Sequence, residues 1–304
     1  MRTVWLLVAV ILIAGLAPMC AAVEASKDIP IYDGKAGVEK GDVCVNPKDG
    51  AKMVWVPAGE FTMGGMDEET AAALKEFPED SQDFGEFFLN AEKPERKVHL
   101  DGYWMYKYEV TVAQYRKFCE ATKTEMPKAP EWGWKEDHPM VMVTWQDAAD
   151  YGKWAGVSLP TEAQWEKAAR GTDGRIHPWG NEWAASKCAN SVGMETESTK
   201  AVGIYASGAS PYGCMDMAGN AHEWCADWYD PNYYKNAPTK NPTGPSKEVE
   251  FKTTAEGDVV TGARVLRGGS WSYVKDVYFR CARRNSSDPT KRYSYYGFCC
   301  ARTT

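Results

Sequence analysis

The chain has 304 residues, 44% of them hydrophobic and 25% charged, with a mean hydropathy of -0.50 and a formal charge of -7. That is the composition of a soluble globular protein long enough for one large or two modest domains. The acidic balance and the lack of a basic stripe argue against a nucleic-acid role.

Residues 1–25 read as an export signal, with Arg2 as the positive start, an apolar run over residues 5–16 and small residues at Ala21, Ala22 and Ala25. The run is shorter than the roughly 20 residues a spanning helix needs, so cleavage after Ala22 or Ala25, a periplasmic or secreted product and no stable membrane span are expected. The alternatives are an uncleaved anchor and a lipid on Cys20, for which the preceding AlaProMet is a poor context. Export puts Cys44, Cys119, Cys188, Cys214, Cys225, Cys281, Cys299 and Cys300 where disulfides persist, in an even number that permits full pairing. No CxxC occurs, which disfavours a zinc ribbon or a thioredoxin-type site.

Residues 26–51 are polar and read as an extended leader to a domain at 52–304. KMVWVPAGEFTMGG at 52–65 alternates around a ProAlaGly turn, which predicts a hairpin of two short strands. Residues 66–93 hold nine Asp or Glu and read as a solvated excursion with a short helix at 68–76. Strand character resumes over 98–110. Three helices follow at 112–121, 145–155 and 162–170, each announced by a cap: Thr111 with Gln114, Thr144 with Asp147, Thr161 with Gln164. Beyond Gly171 the chain is turn-rich, with a long surface loop over 230–260 and closing strands at 264–271 and 278–283. Thirteen Trp and 16 Tyr against 9 Phe suit such loops, because rings with polar tips satisfy stray backbone acceptors while filling the core.

GCMDMAGNAHEWCADWY at 213–229 is the densest stretch of special-purpose residues. Asp216 and Glu223, with Gly219 to turn backbone carbonyls inward, suit a hard cation such as calcium, which takes roughly six to eight oxygens. The plainer reading is a turn whose acids cap backbone amides. The stretch lacks the EF-hand spacing. No GxSxG, HExxH or P-loop occurs, and the four histidines are scattered; His222 stands out only because it lies beside Glu223. Cys281 lies among Arg280, Arg283 and Arg284, which would lower its pKa if they face it, but a buried thiol or disulfide competes with that reading. The adjacent Cys299 and Cys300 suggest that at most one faces the core.

Several ordered motifs resemble the formylglycine-generating enzyme, or sulfatase-modifying factor, family. They are VWVPAGEFTMG at 54–64, YEVT at 108–111, DHPMVMVTW at 137–145, LPTEAQWEKAARG at 159–171, PWGN at 178–181, DMAGNAHEW at 216–224, RVLRGGSW at 264–271 and GFCCAR at 297–302. The resemblance implies an α+β, C-type-lectin-like fold with little regular structure, bound calcium, and a groove that receives an extended polypeptide. It maps calcium ligands onto Asp216, Glu223 and the carbonyls of Gly219 and Ala221, with Asn190 beginning a second site whose remaining loop is not recognisable here.

The departures bear on activity. Family members that make formylglycine bind copper through two cysteines between the GlyGlySer and ArgCysAla motifs, whereas WSYVKDVYFR at 271–280 has none, with Tyr273 and the region of Tyr278 in their place. Soft Cu(I) wants thiolates, so copper is not expected. His222 stands where the family's groove tryptophan is common. Cys281 and Cys300 match cysteines that form disulfides in some members, but the partner positions are Gly152 and Ala169. Three readings follow: a binding or accessory protein whose groove holds a polypeptide or small molecule; an oxidoreductase using His222, Ser270, Tyr273 and Arg280, since some relatives lacking the two cysteines are linked to oxidative maturation of secreted siderophore chromophores; and a formylglycine generator recruiting Cys281 or Cys300.

Overall fold

The computed structural model describes residues 29–77, 79–192, 198–253 and 259–304, so the expected export segment at 1–25 and Cys20 lie outside the described residues. No described helix is long and apolar enough to cross a membrane. The first strands are β1 (Val43–Val45), β2 (Lys52–Val56) and β3 (Gly59–Met63). β1 comes from the stretch expected to be a leader. It pairs with β2, and the turn after it buries Asp49, whose carboxylate accepts the phenols of Tyr106 and Tyr151 at 2.7 and 2.6 Å.

The ProAlaGly turn does not close a hairpin. β2 pairs with β1 and with β5 (Tyr103–Tyr106), while β3 pairs with β4 (Arg96–Leu100), so the chain steps from one sheet to another at Pro57. The buried Lys167 ammonium fixes that corner by donating to the carbonyls of Pro57 and Gly59 at 2.7 and 2.9 Å.

The acidic excursion carries the expected α1 (Asp67–Leu74) and an unexpected α2 (Gln82–Asn90). It is not simply solvated. Phe77, Phe88 and Leu89 are buried, and Glu92, fully buried, pairs with Arg280 at 2.8 Å. Asp67, Glu68, Asp83 and Glu86 face water, while aromatic residues between the acids supply an inner face.

α3 (Val112–Thr122), α4 (Trp145–Ala155) and α5 (Glu162–Arg170) form where their capping boxes predict, and all three boxes are closed in both directions. The 213–229 stretch becomes β6 (His222–Trp228) and the loop before it. β7 (Glu250–Lys252) and β8 (Val259–Thr261) make a hairpin inside the expected surface loop. β9 (Arg264–Arg267) pairs with β6 and with β10 (Asn285–Ser287), while β11 (Tyr296–Gly297) runs parallel to β6 on its other side. β12 (Ala301–Thr303) returns to β5, which gives the sheet orders β1-β2-β5-β12 and β10-β9-β6-β11. Instead of a strand at 278–283 there is a 3-10 turn at Asp276–Phe279.

All eight described cysteines are buried free thiols, which corrects the expectation of disulfides. Cys299 and Cys300 are both buried, because the chain between β11 and β12 is covered on both sides; Cys299 donates to Glu223, while Tyr106 and Asp49 neighbour Cys300.

Candidate functional site

Three buried carboxylates, Glu109, Asp216 and Glu223, lie near enough to the start of β6 to feel one another's charge. Glu109, from the strand-to-helix turn before α3, accepts the Ala221 N–H at 2.9 Å and the Asn220 side-chain amide at 2.6 Å. Asp216, at φ +58°, accepts the Gly203 N–H at 2.6 Å. Glu223 accepts the Trp165 indole at 2.6 Å and the Cys299 thiol at 2.8 Å through Oε2, while its buried Oε1 has no partner.

None of the three has an ion pair among the described residues. Burial pushes Glu223 up to about 7 and Asp216 up to about 6; Glu109 is raised well above the carboxylate range, first by burial and then by the other two charges. Buried carboxyls that resist ionising for want of a counter-charge, one of them with an orphaned oxygen, suit a hard divalent cation that would supply it. The backbone fits too: Gly219 lies at φ +81°, and a Cβ there would run into the Ala189 carbonyl oxygen. No three His, Cys, Asp or Glu side chains converge as a metal cage among the described residues, so the carbonyls of Gly219 and Ala221 would have to complete the shell around Asp216 and Glu223.

Glu109 escaped the sequence reading. It sat in an apparent strand, and its one signal was a carboxylate among the apolar residues before the α3 cap. Asn190 lies on the other side of Gly219, beside Ala189, whose carbonyl takes the Asn220 N–H at 3.0 Å. Its amide donates to the carbonyls of Ala185 and Cys188 at 2.7 and 2.9 Å, and its oxygen accepts the Val192 N–H at 2.8 Å, as a turn-forming asparagine does.

Of the candidate catalytic residues, His222 and Tyr273 meet. His222 is buried, which pushes its pKa down to about 3 and keeps the imidazole neutral. Its Nδ1–H faces the Arg267 carbonyl at 3.4 Å, which leaves Nε2 to accept the Tyr273 phenol at 3.3 Å. Burial raises the Tyr273 pKa, with Arg283 pulling the other way, so the phenol stays protonated. Tyr278 stacks on Tyr273 at 4.2 Å between centroids. Ser270 is fully buried; its carbonyl accepts the Tyr273 N–H and its hydroxyl bonds to that of Ser272 at 2.9 Å. Arg280 points away to Glu92, and Arg283, unnoticed as a site residue in the sequence, is the cation that acts on both His222 and Tyr273.

Next to Ser270, Trp271 lines a cavity of about 920 Å³ with Trp132, Met142, Arg292 and Tyr293. The Trp132 ring stands edge-on to Trp271 at 5.5 Å. No thiol belongs to the 271–280 loop. Cys188 packs with Phe279 near Tyr273 and Tyr278, and burial pushes it up to about 12, as it does Cys281. Each of the eight described cysteines is raised mainly by burial, so none is poised as a thiolate.

Residues 39–304 match the family described as sulfatase-modifying factor enzyme 1-like domain. The chain is 31% identical over 317 residues to a formylglycine-generating enzyme of Thermomonospora curvata, across 84% of this chain and 95% of that one. It is 32% identical over 274 residues to the serine/threonine-protein kinase pkn1 of Chlamydia pneumoniae, across 83% of this chain but only 38% of the kinase. Among solved structures, PvdO from Pseudomonas aeruginosa matches with a TM-score of 0.71 at 24% identity, over 88% of this chain and 100% of that one, a likeness of fold. These similarities bear out the α+β, C-type-lectin-like architecture.

Proposed function

Given that the chain belongs to the sulfatase-modifying factor enzyme 1-like family, we propose that it is an exported, calcium-stabilised member whose groove holds an extended polypeptide or small molecule without thiol–copper oxidation. The observation that carries this reading is the Tyr273–Tyr278 stack in the loop after Ser270, where a soft metal would need two sulfurs. Cys281 and Cys300 are buried at 1% and 0% exposure, which counts against their recruitment to the groove. Calcium would be held by Asp216, Glu223 and the carbonyls of Gly219 and Ala221, and would supply the counter-charge that three buried carboxylates lack.

A CysXProXArg peptide incubated with the protein, copper and oxygen should keep its mass. Loss of the thiol with gain of an aldehyde would overturn the reading. Chelation should lower the melting temperature, since a ligand held only by the folded state stabilises it; identical melts with and without chelator would sink the calcium assignment.

The His222–Tyr273 hydrogen bond favours a second reading, an oxidoreductase whose neutral imidazole accepts from a phenol two residues along from the cavity-lining Trp271. In that case Tyr273→Phe abolishes oxidation of a groove-bound substrate while leaving its affinity within a few-fold. Equal turnover by the variant would remove Tyr273 from the chemistry.

A further inference from the structure

We propose that Asn220 couples the loop that would hold calcium to the groove wall, so that cation binding sets the position of Trp271. The inference deepens the calcium reading above and rests on it. Asn220 lies between Gly219 and Ala221, the two residues whose carbonyls would complete the cation shell. It is 1% exposed and sits at φ +62°, a left-handed conformation that asparagine tolerates better than most residues.

Its polar atoms tie it to four other segments. The side-chain amide donates to Glu109 at 2.6 Å and to the Lys200 carbonyl at 3.3 Å, and the side-chain oxygen accepts the Lys200 N–H at 2.9 Å. The backbone N–H donates to Ala189, and the backbone carbonyl accepts the Trp271 N–H at 2.9 Å. Gly219 makes a parallel link, donating its N–H to the Gly268 carbonyl at 2.8 Å. On the far side, the Trp271 carbonyl accepts the Ser191 hydroxyl at 2.6 Å and its indole donates to the Ser294 carbonyl at 3.3 Å.

With both ends held, a rotation of the 219–221 peptides that turns carbonyls toward a cation also turns the Asn220 carbonyl. Trp271 must follow or lose its hydrogen bond, and Trp271 is a wall of the cavity. A cation with a purely local role would stabilise the loop and leave the indole where it was.

The test uses the full chain, stripped with chelator and titrated with calcium chloride, with magnesium chloride as the control ion. Calorimetry reads the affinity and acrylamide quenching of tryptophan emission reads the groove. Calcium is expected to bind and to change the quenching. Trp271→Phe should remove more than half of that change with calcium affinity unaltered. Asn220→Gly, which accepts the left-handed backbone but loses the side-chain anchors, should weaken calcium about tenfold, the lower end of the usual effect of removing an outer-shell partner, and abolish the remaining response. Calcium heat without a quenching change, or a full change in Trp271→Phe, overturns the coupling and leaves the calcium reading standing. No calcium heat at all overturns both. Should Asn220→Gly fail to fold, the Trp271→Phe comparison decides alone.

Discussion

Asp227 shows how far burial can move a single group. It is 2% exposed and its Oδ2 accepts the Glu162 N–H at 2.8 Å, the first amide of α5. Burial first, and then the Glu162 charge, push its carboxyl up to about 8 from an ordinary 3.8. The folded chain therefore keeps a proton that the unfolded chain releases, so this group's contribution to stability is fully present below about pH 4 and is lost as pH rises toward about 8. Asp227→Asn keeps the acceptor and removes the titration; melting temperature followed from pH 4 to 8 should flatten relative to the parent, and parallel curves would contradict the assignment. Gly219→Ala is a different case. It needs both a strained φ and space that the Ala189 carbonyl already fills, so it should cost at least ~3 kcal/mol in urea unfolding, above the ~1–3 kcal/mol of backbone strain alone. The residue type at 219 was legible in the sequence. Glu109 was not, because a buried carboxylate looks like any other acid until its neighbours are known.

Elements with local signals were readable and those defined by distant partners were not. Thr111, Thr144 and Thr161 fix helix starts through bonds three residues away, and α4 and α5 fall on the expected residues. The 52–65 segment shows the limit. Its alternation foretold two strands, but their separate partners lie far along the chain, β3 pairing with β4 (Gly59 opposite Leu100) and β2 with β5 (Met53 opposite Tyr106). α2 was hidden by its acids, and so was the role of the turn between α1 and α2, which braces the loop after Ser270: Phe77 meets Tyr278 edge-on at 5.8 Å, and Glu76 accepts the Val277 N–H at 3.2 Å. Phe77→Ala should therefore cost about 3–5 kcal/mol in unfolding free energy and loosen Tyr278 while calcium affinity stays as it was. A cost below ~1 kcal/mol would mean the excursion is dispensable to the loop.

Over the whole molecule, cysteine count and expected compartment suggested cross-links, yet packing placed eight thiols as small apolar side chains. Titration in guanidinium without reductant should find the eight described cysteines reactive, and a lower count would reveal bonds. β11 and β12 lie within eight residues of each other and close different sheets, one against β6 and the other against β5. A nascent chain halted before Tyr296 would thus leave both sheets with an open flank, and the His222–Tyr273 pair would lose the neighbour that Tyr296 gives His222. Residues 296–303 thus act as a common clasp, and neither sheet gains its outer strand until that stretch has been made.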